Sequence, residues 1–163
     1  MGEPTPAMLR TLAAEIRAEL PSIDRTLDDV ALADPTGDDV LDRLRLYAGA
    51  AILDTFYTGV DRLLERVART FDAVPTGPHW HTELLGAASL DVPGVRPRIL
   101  TRESLAGLKR YLAFRHRFRN LYLFDLDPRQ MAPLLADLAP VWTTVREDLA
   151  GFSGALDALA AAV

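Results

Sequence analysis

The sequence lacks cysteine, and it lacks any run of about 18 apolar residues that a membrane-spanning helix needs. The first absence excludes disulfide bonds and thiolate metal sites, and it is typical of proteins from a reducing compartment. The N-terminal stretch MGEPTPAMLR is acidic and contains prolines, whereas a secretory signal is basic and then apolar. We therefore expect a cytoplasmic protein with no membrane segment.

Several motifs of catalytic and metal sites are also absent. Glycine-rich phosphate loops and nucleophile elbows do not occur, and no pair of carboxylates is set apart from the helix surfaces. His79 and His81 flank Trp80, but residues at i and i+2 do not share a helical face, and no third ligand lies near them in the sequence. We therefore predict neither a metal site nor a cofactor.

The composition indicates an ordered domain with an acidic surface. The chain of 163 residues is long enough to bury one core, and its hydrophobic share of 49% does not favour disorder. The formal net charge of -5 argues against a protein that coats nucleic acid with its whole surface. We predict a single domain over residues 1–163, in which contact with an anionic partner depends on a local patch.

Apolar residues recur at helical spacing along most of the chain, and no strand pattern competes with them. Thr5 is predicted to cap a first helix that Pro21 kinks or divides into two. A long second helix is predicted over 38–74. It begins at an Asp-Asp pair, whose negative charge suits a helix N-terminus.

The second half of the chain continues this pattern. A short amphipathic helix is predicted over 81–89, and the prolines and glycine of 91–98 indicate a loop. A further long helix is predicted over 101–124, and a last helix begins with Asp127 as cap and Pro128 as first helical residue. The predicted fold class is all-α, an antiparallel bundle of four to five helices.

The stretch FRHRFRNLYLF at 114–124 places three arginines and a histidine between phenylalanines, with no acid among them. At about 100° per residue, Phe114, Phe118 and Leu121 fall on one stripe, which is predicted to serve the core. A separate polar arc beside this stripe consists of Arg115, His116, Arg119 and Asn120. Tyr122 lies two turns after the first residue of that arc and is predicted to join it.

The positive charge of this region favours a phosphate ligand, but a simpler interpretation competes. Residues 109–120 carry five formal positive charges and no negative one, which on an acidic protein is a local field suited to a phosphate backbone. Arginines beside a core stripe are also typical of a solvated or salt-bridged face. His116 taken alone is as compatible with a structural hydrogen bond as with catalysis.

The segment FRHRFRNLY, on a long helix of an α-bundle of this size, resembles the HEPN superfamily. It is most similar to the HepT-like ribonuclease toxins, whose signature is R-x-x-x-x-H-x-Y. Arg115 matches the signature arginine, His116 matches the polar position after it, and Tyr122 matches the tyrosine. Asn120 stands where the signature has histidine. The resemblance covers most of the chain, and its specific part is this motif segment.

The resemblance implies the toxin component of a bacterial toxin-antitoxin system, a homodimeric, metal-independent endoribonuclease whose motif helices meet at a cleft between subunits. It implies catalytic roles for Arg115, His116, Asn120 and Tyr122, and phosphate binding by Arg115 and Arg119. Because asparagine cannot exchange protons near neutral pH, the activity is expected to be weakened or lost unless His116 replaces the missing histidine. A nucleotidyltransferase antitoxin is the implied partner, and it would add nucleotides to Tyr122.

Three functions remain open from the sequence. The first is a toxin ribonuclease, either weakened or intact. The second is a non-catalytic module that binds RNA or an antitoxin. The third is a helical dimer whose basic arc pairs with acids of its partner subunit, in which case no RNA is bound.

Overall fold

The helices predicted from the apolar spacing are present in the structure, a computed structural model that describes residues 3–71 and 73–162. Its α-helices are α1 (Pro6–Asp28), α2 (Asp39–Phe71), α3 (Trp80–Ala87), α4 (Arg102–Phe118), α5 (Pro128–Ala136) and α6 (Leu138–Ala162). The described residues contain no strand, only an isolated bridge between Val92 and Arg96. The all-α fold class is therefore confirmed. No helix in the described part of the chain is long and apolar enough to cross a membrane.

Four long helices form the bundle, and each packs against two of the others. α1 runs antiparallel to α6, since Arg17 pairs with Asp157 and, further along α1, Asp24 pairs with Arg146. The contacts of α4 with α6 follow the same reversed order. α2 packs against α1 and α4, while α3 covers α2 and α4. The antiparallel arrangement predicted from the sequence is thus observed.

The first helix is continuous over Pro6–Asp28, so Pro21 does not divide it into two as one of the two predictions had it. Proline has no N–H and removes one hydrogen bond of the helix, but Pro21 is exposed, so the carbonyl it leaves unpaired is on the solvent side. Burial of Leu20 and Ile23 stabilises the helix on both sides of Pro21. Packing has overridden a local preference here.

The N-terminal caps agree with the sequence. Thr5 Oγ1 accepts a hydrogen bond from the backbone N–H of Met8 at 3.3 Å, and Thr101 Oγ1 accepts one from Ser104 at 3.3 Å. An Asp38 carboxylate oxygen accepts from two N–H groups at the start of α2, each at 3.0 Å. Such caps satisfy donors that have no partner inside the helix.

The helix that carries the motif ends earlier than predicted. α4 stops at Phe118 rather than near residue 124, and Leu123–Asp125 form a short 3-10 helix. The side-chain amide of Asn120 donates to the His116 carbonyl at 2.8 Å, and the Asn120 backbone N–H turns back to the Arg117 carbonyl at 3.0 Å. These two bonds satisfy carbonyls of the last turn and end the helix, as capping groups do elsewhere.

The last predicted helix is two helices, so the described residues form six α-helices where four or five were expected. The division falls at Asp137, between α5 and α6. Pro140 has no N–H to offer the carbonyl of Ala136, and its ring would clash with that carbonyl in a continuous helix. The predicted cap of α5 is present, since the Asp127 carboxylate accepts from the Arg129 N–H at 2.9 Å.

Candidate functional site

A row of buried polar side chains crosses three helices of the bundle. Asp61 of α2 is 5% exposed, His81 of α3 is 9% exposed, and Arg115 of α4 is 6% exposed. Polar groups at such depth are rare unless they are paired. The short helix α3 brings the histidine into this position, because it packs against both α2 and α4.

The geometry of the row determines which atom carries the histidine proton. His81 Nδ1 lies 3.0 Å from Asp61 Oδ1 and 2.9 Å from Oδ2, and Arg115 Nη1 lies 3.1 Å from His81 Nε2. A guanidinium can only donate, so His81 Nε2 is the acceptor. His81 Nδ1 therefore carries the proton and donates it to Asp61.

On the side away from His81, the Arg115 guanidinium faces α2 and lacks a hydrogen-bond partner for its Nε–H group. Asp54 Oδ1 lies 3.6 Å from Arg115 Nε, close enough for an ion pair but too far for a hydrogen bond. Both atoms, and the hydroxyl of Tyr57, are buried without a hydrogen-bond partner in the described structure. Burial, reinforced by the Asp61 charge, raises the pKa of Tyr57 above its usual value. We call Asp54, Tyr57, Asp61, His81 and Arg115 the buried cluster.

His116 lies at the surface next to the buried cluster. Its ring centroid is 6.0 Å from that of His81, in an edge-on arrangement. Partial desolvation lowers the pKa of His116, and the neighbouring groups His81, Arg115 and His79 lower it further. The imidazole of His116 is therefore mainly neutral at pH 7, as a general base requires.

The remaining polar residues of the motif lie outside the buried cluster. The side chain of Arg119 is exposed and forms no hydrogen bond or ion pair within residues 3–71 and 73–162, which leaves its guanidinium available to a ligand. Arg117 instead donates to Gln130 at 2.8 Å. Asn120 is exposed, and its amide N–H₂ is engaged at the end of α4. The predicted polar arc is thus divided: Arg115 points inward and the others lie at the surface.

Two geometric predictions for the motif are wrong. Tyr122 was expected on the arc of Arg115, but α4 ends four residues before it and its backbone is extended. It is 72% exposed, with its ring stacked on that of Phe124, which is 76% exposed. Leu121 was expected in the core with Phe114, yet it is 46% exposed for the same reason. The helical spacing used for both predictions does not extend beyond Phe118.

Sequence reasoning missed four members of the buried cluster, although a signal was present. Asp54, Tyr57 and Asp61 are spaced i, i+3 and i+7, which places them on one face of α2 within a largely apolar segment. His81 was considered only together with His79. The described residues contain no group of three or more His, Cys, Asp or Glu side chains arranged to hold a metal ion.

Comparison with known proteins supplies a family. No curated protein and no solved structure matches the chain. A family model described as HepT-like protein matches residues 48–156, which is more than half of the chain. The matched segment includes the whole buried cluster, the FRHRFRNLY segment, and α3, α4 and α5. The resemblance found from the motif is thereby confirmed, and the chain belongs to the HepT-like family.

Proposed function

We propose that this protein is the toxin component of a bacterial toxin-antitoxin pair and a metal-independent endoribonuclease weakened by Asn120. Its membership of the HepT-like family supports a toxin-like role. The observation that carries the enzymatic part is the environment of His116, an exposed imidazole with a lowered pKa. The His116 carbonyl accepts the Asn120 side-chain amide at 2.8 Å, and the exposed Arg119, whose side chain has no bond within the described residues, follows three residues later in the chain.

The chemistry needs few groups. The 2′-hydroxyl oxygen of the RNA attacks the adjacent phosphorus, its proton passes to a base, and the bond to the 5′-oxygen breaks as that oxygen receives a proton. His116 takes the proton of the 2′-hydroxyl, and its protonated form is an acid for the leaving oxygen. Arg119, and Arg115 when it is free, hold the phosphate as negative charge develops.

Two features predict that the activity is low. The side-chain amide of Asn120 has no titration near neutral pH, so one proton-transfer group of the signature is missing. Loss of a general acid or base typically lowers the rate by about 10² to 10⁴. In addition, the Arg115 guanidinium is directed toward His81 and Asp54 rather than toward solvent.

The decisive experiment restores the histidine of the signature. Asn120→His is expected to raise RNA cleavage in the presence of a metal chelator by at least about tenfold, because it supplies a group that titrates near neutral pH. Asn120→Gln is the matched control, since it keeps the amide and cannot exchange protons. The gain should disappear when Arg115→Ala is added, with far-UV circular dichroism showing that the fold is retained. Unchanged cleavage in Asn120→His, with RNA still bound, would contradict the proposal that this protein is a ribonuclease.

A second candidate function is a non-catalytic module that binds RNA or an antitoxin. The specific observation in its favour is that the Asn120 amide already has a structural partner, the His116 carbonyl. Such a module binds RNA in a salt-sensitive way but cleaves it in neither the natural nor the Asn120→His form. A gel-shift assay separates both candidates from a plain helical dimer, which does not bind RNA.

We also propose that the protein is a cytoplasmic homodimer. Residues 121–124 support an interface, because all four are large apolar side chains at least 46% exposed. Aromatic side chains and arginines, which are both present here, are enriched in interfaces. Analytical ultracentrifugation at micromolar concentration should give the mass of a dimer, and a monomeric mass would contradict the proposal.

The proposed partner is a nucleotidyltransferase antitoxin, with Tyr122 as the modified residue. The exposure of this side chain supports the assignment, since a nucleotide donor can reach its hydroxyl. Coexpression with such an enzyme is expected to add nucleotide mass to the peptide that contains Tyr122. Tyr122→Phe should abolish the addition, whereas Tyr47→Phe, at a half-buried tyrosine of α2, should leave it intact. Modification that persists in Tyr122→Phe would show that Tyr122 is not the modified residue.

A further inference from the structure

We propose that His81 is the residue that positions Arg115, through a proton on Nδ1 that Asp61 fixes in place. In this arrangement His81 Nε2 is the acceptor that holds the guanidinium inside the bundle. The consequence for RNA rests on the proposed function, whereas the positioning itself concerns only the buried cluster. Neither His81 nor Asp61 belongs to the motif segment FRHRFRNLY, because Asp61 lies on α2 and His81 on α3.

Few hydrogen-bond acceptors surround the Arg115 side chain. Its side chain is 7% exposed, so water cannot satisfy all its N–H groups. Within the described residues its side chain makes a single hydrogen bond, to His81 Nε2 at 3.1 Å, because Asp54 Oδ1 is 3.6 Å away. His81 therefore determines where the guanidinium lies.

The Asp61 carboxylate contacts the Nδ1 side of the His81 ring. Both of its carboxylate oxygens lie within 3.0 Å of His81 Nδ1, and its side chain has no other hydrogen bond in the described part of the chain. A carboxylate in this position selects the tautomer of the ring, since it accepts from a protonated Nδ1 and leaves Nε2 as an acceptor. Asp61 thus acts on Arg115 through His81.

Only the Nδ1–H form of His81 supports the contact with Arg115. Protonated Nε2 is a donor that faces a donor, so Arg115 loses its hydrogen bond. The charged and titratable groups facing the pair are Asp54, Tyr57 and Asp61 on α2, His79 just before α3, and His116 on α4. Of these, Asp54 is the carboxylate nearest to the guanidinium and has no hydrogen bond on Oδ1. Without this bond the Arg115 guanidinium has no hydrogen bond left within the described residues and is released toward the surface past Asp54, whose side chain is 29% exposed.

The test begins with the unaltered full chain, labelled with ¹⁵N at histidine. Long-range proton-nitrogen spectra distinguish the two tautomers, and the sequence has only three histidines, so three single His→Gln variants assign every ring. We expect His81 to show the Nδ1–H tautomer at pH 7.5. The Nε2–H tautomer at His81 would overturn the proposal.

Two variants then test whether His81 positions the arginine. His81→Gln keeps one donor and one acceptor but cannot titrate, whereas His81→Leu keeps the bulk and provides neither. The Arg115 side-chain Nε–H resonance is expected to move little in His81→Gln, whose amide keeps an acceptor for the guanidinium. It should be displaced in His81→Leu, which offers no acceptor. An Arg115 resonance that is the same in all three proteins would overturn the proposal.

RNA affinity separates this proposal from the proposed function. Release of one phosphate-binding arginine should make the RNA affinity at pH 7.5 at least about threefold higher in His81→Leu than in His81→Gln. Both variants lack the His81 ring, so the effect of that ring on His79 and His116 cancels in this comparison. If the resonances behave as expected and RNA binding never depends on Arg115, the positioning role is established and phosphate binding by Arg115 is rejected.

Discussion

Two clusters of charged side chains tie helices together in this bundle, and they differ in depth and in completeness. Between α1 and α6, Asp24 receives three hydrogen bonds from Arg146, at 3.0, 3.2 and 3.1 Å, and one from the Trp142 indole at 2.7 Å. The side chains of Asp24 and Arg146 are 39% and 44% exposed. In the buried cluster the guanidinium of Arg115 has a single hydrogen bond within residues 3–71 and 73–162.

The two clusters are expected to contribute differently to the stability of the fold. Water easily replaces the hydrogen bonds of a half-exposed ion pair, so the net contribution of such a pair to stability is small. A buried pair loses the hydration of both charges, and that loss is recovered only when every polar atom is bonded. The three unpartnered atoms of the buried cluster show that it is not optimised for stability. This is the pattern expected where polar groups serve a function.

Removing one charge from each cluster tests this difference in depth, and the largest effect is expected at Asp61. Asp61→Ala should lower the free energy of unfolding by about 3–5 kcal/mol, because Arg115 is left buried with less compensating charge and His81 loses its acceptor. Urea denaturation followed by circular dichroism measures this. Asp61→Asn keeps an oxygen acceptor for His81 and should lose less. A loss in Asp61→Ala below about 1 kcal/mol, typical of surface pairs, would contradict the depth argument.

The second expected effect has the opposite sign. Tyr57→Phe removes a hydroxyl that is fully buried without a partner, and it should raise the free energy of unfolding by up to about 1 kcal/mol. Tyr111→Phe is the matched control, since its buried hydroxyl donates to the Leu134 carbonyl at 2.9 Å and its loss should be destabilising. Equal losses in the two variants would mean that the Tyr57 hydroxyl is bonded.

The smallest effect is expected in the half-exposed cluster. Asp24→Asn should lower the free energy of unfolding by less than about 1 kcal/mol at pH 7. The Arg146 guanidinium, helped by Trp142, holds the pKa of Asp24 below its ordinary value of 3.8. A carboxyl with a depressed folded-state pKa stabilises the fold above its unfolded pKa and loses that contribution as the pH falls through the folded value.

The difference between natural protein and Asp24→Asn should therefore be constant above about pH 5 and shrink below about pH 4. Denaturant titrations of both proteins across this range measure it. A difference that grows on acidification would show that Asp24 is not the carboxyl stabilised by Arg146.

The sequence predicts the local features of this fold better than the contacts between its helices. Helical spacing and caps depend on neighbours along the chain, so the ends marked by Thr5, Thr101 and Asp127 were predictable. The end of α4 was not, because it depends on a side-chain bond of Asn120 that competes with continued helix. The motif gave the family but not the direction of Arg115. That direction depends on two residues, one of α2 and one of α3, that only the packed bundle brings together.

The contact between α1 and α6 has a consequence for synthesis of the protein. Its hydrogen bonds join residues 118 to 150 positions apart, so α1 leaves the ribosome long before its partner exists. At about 5–20 residues per second, the apolar face of α1 waits roughly 6 to 30 seconds for α6. α4 packs against α2 and α3, which are made before it, and against α6, which is made last. A chain whose synthesis stops before α6 therefore leaves the helix that carries His116 without part of its packing.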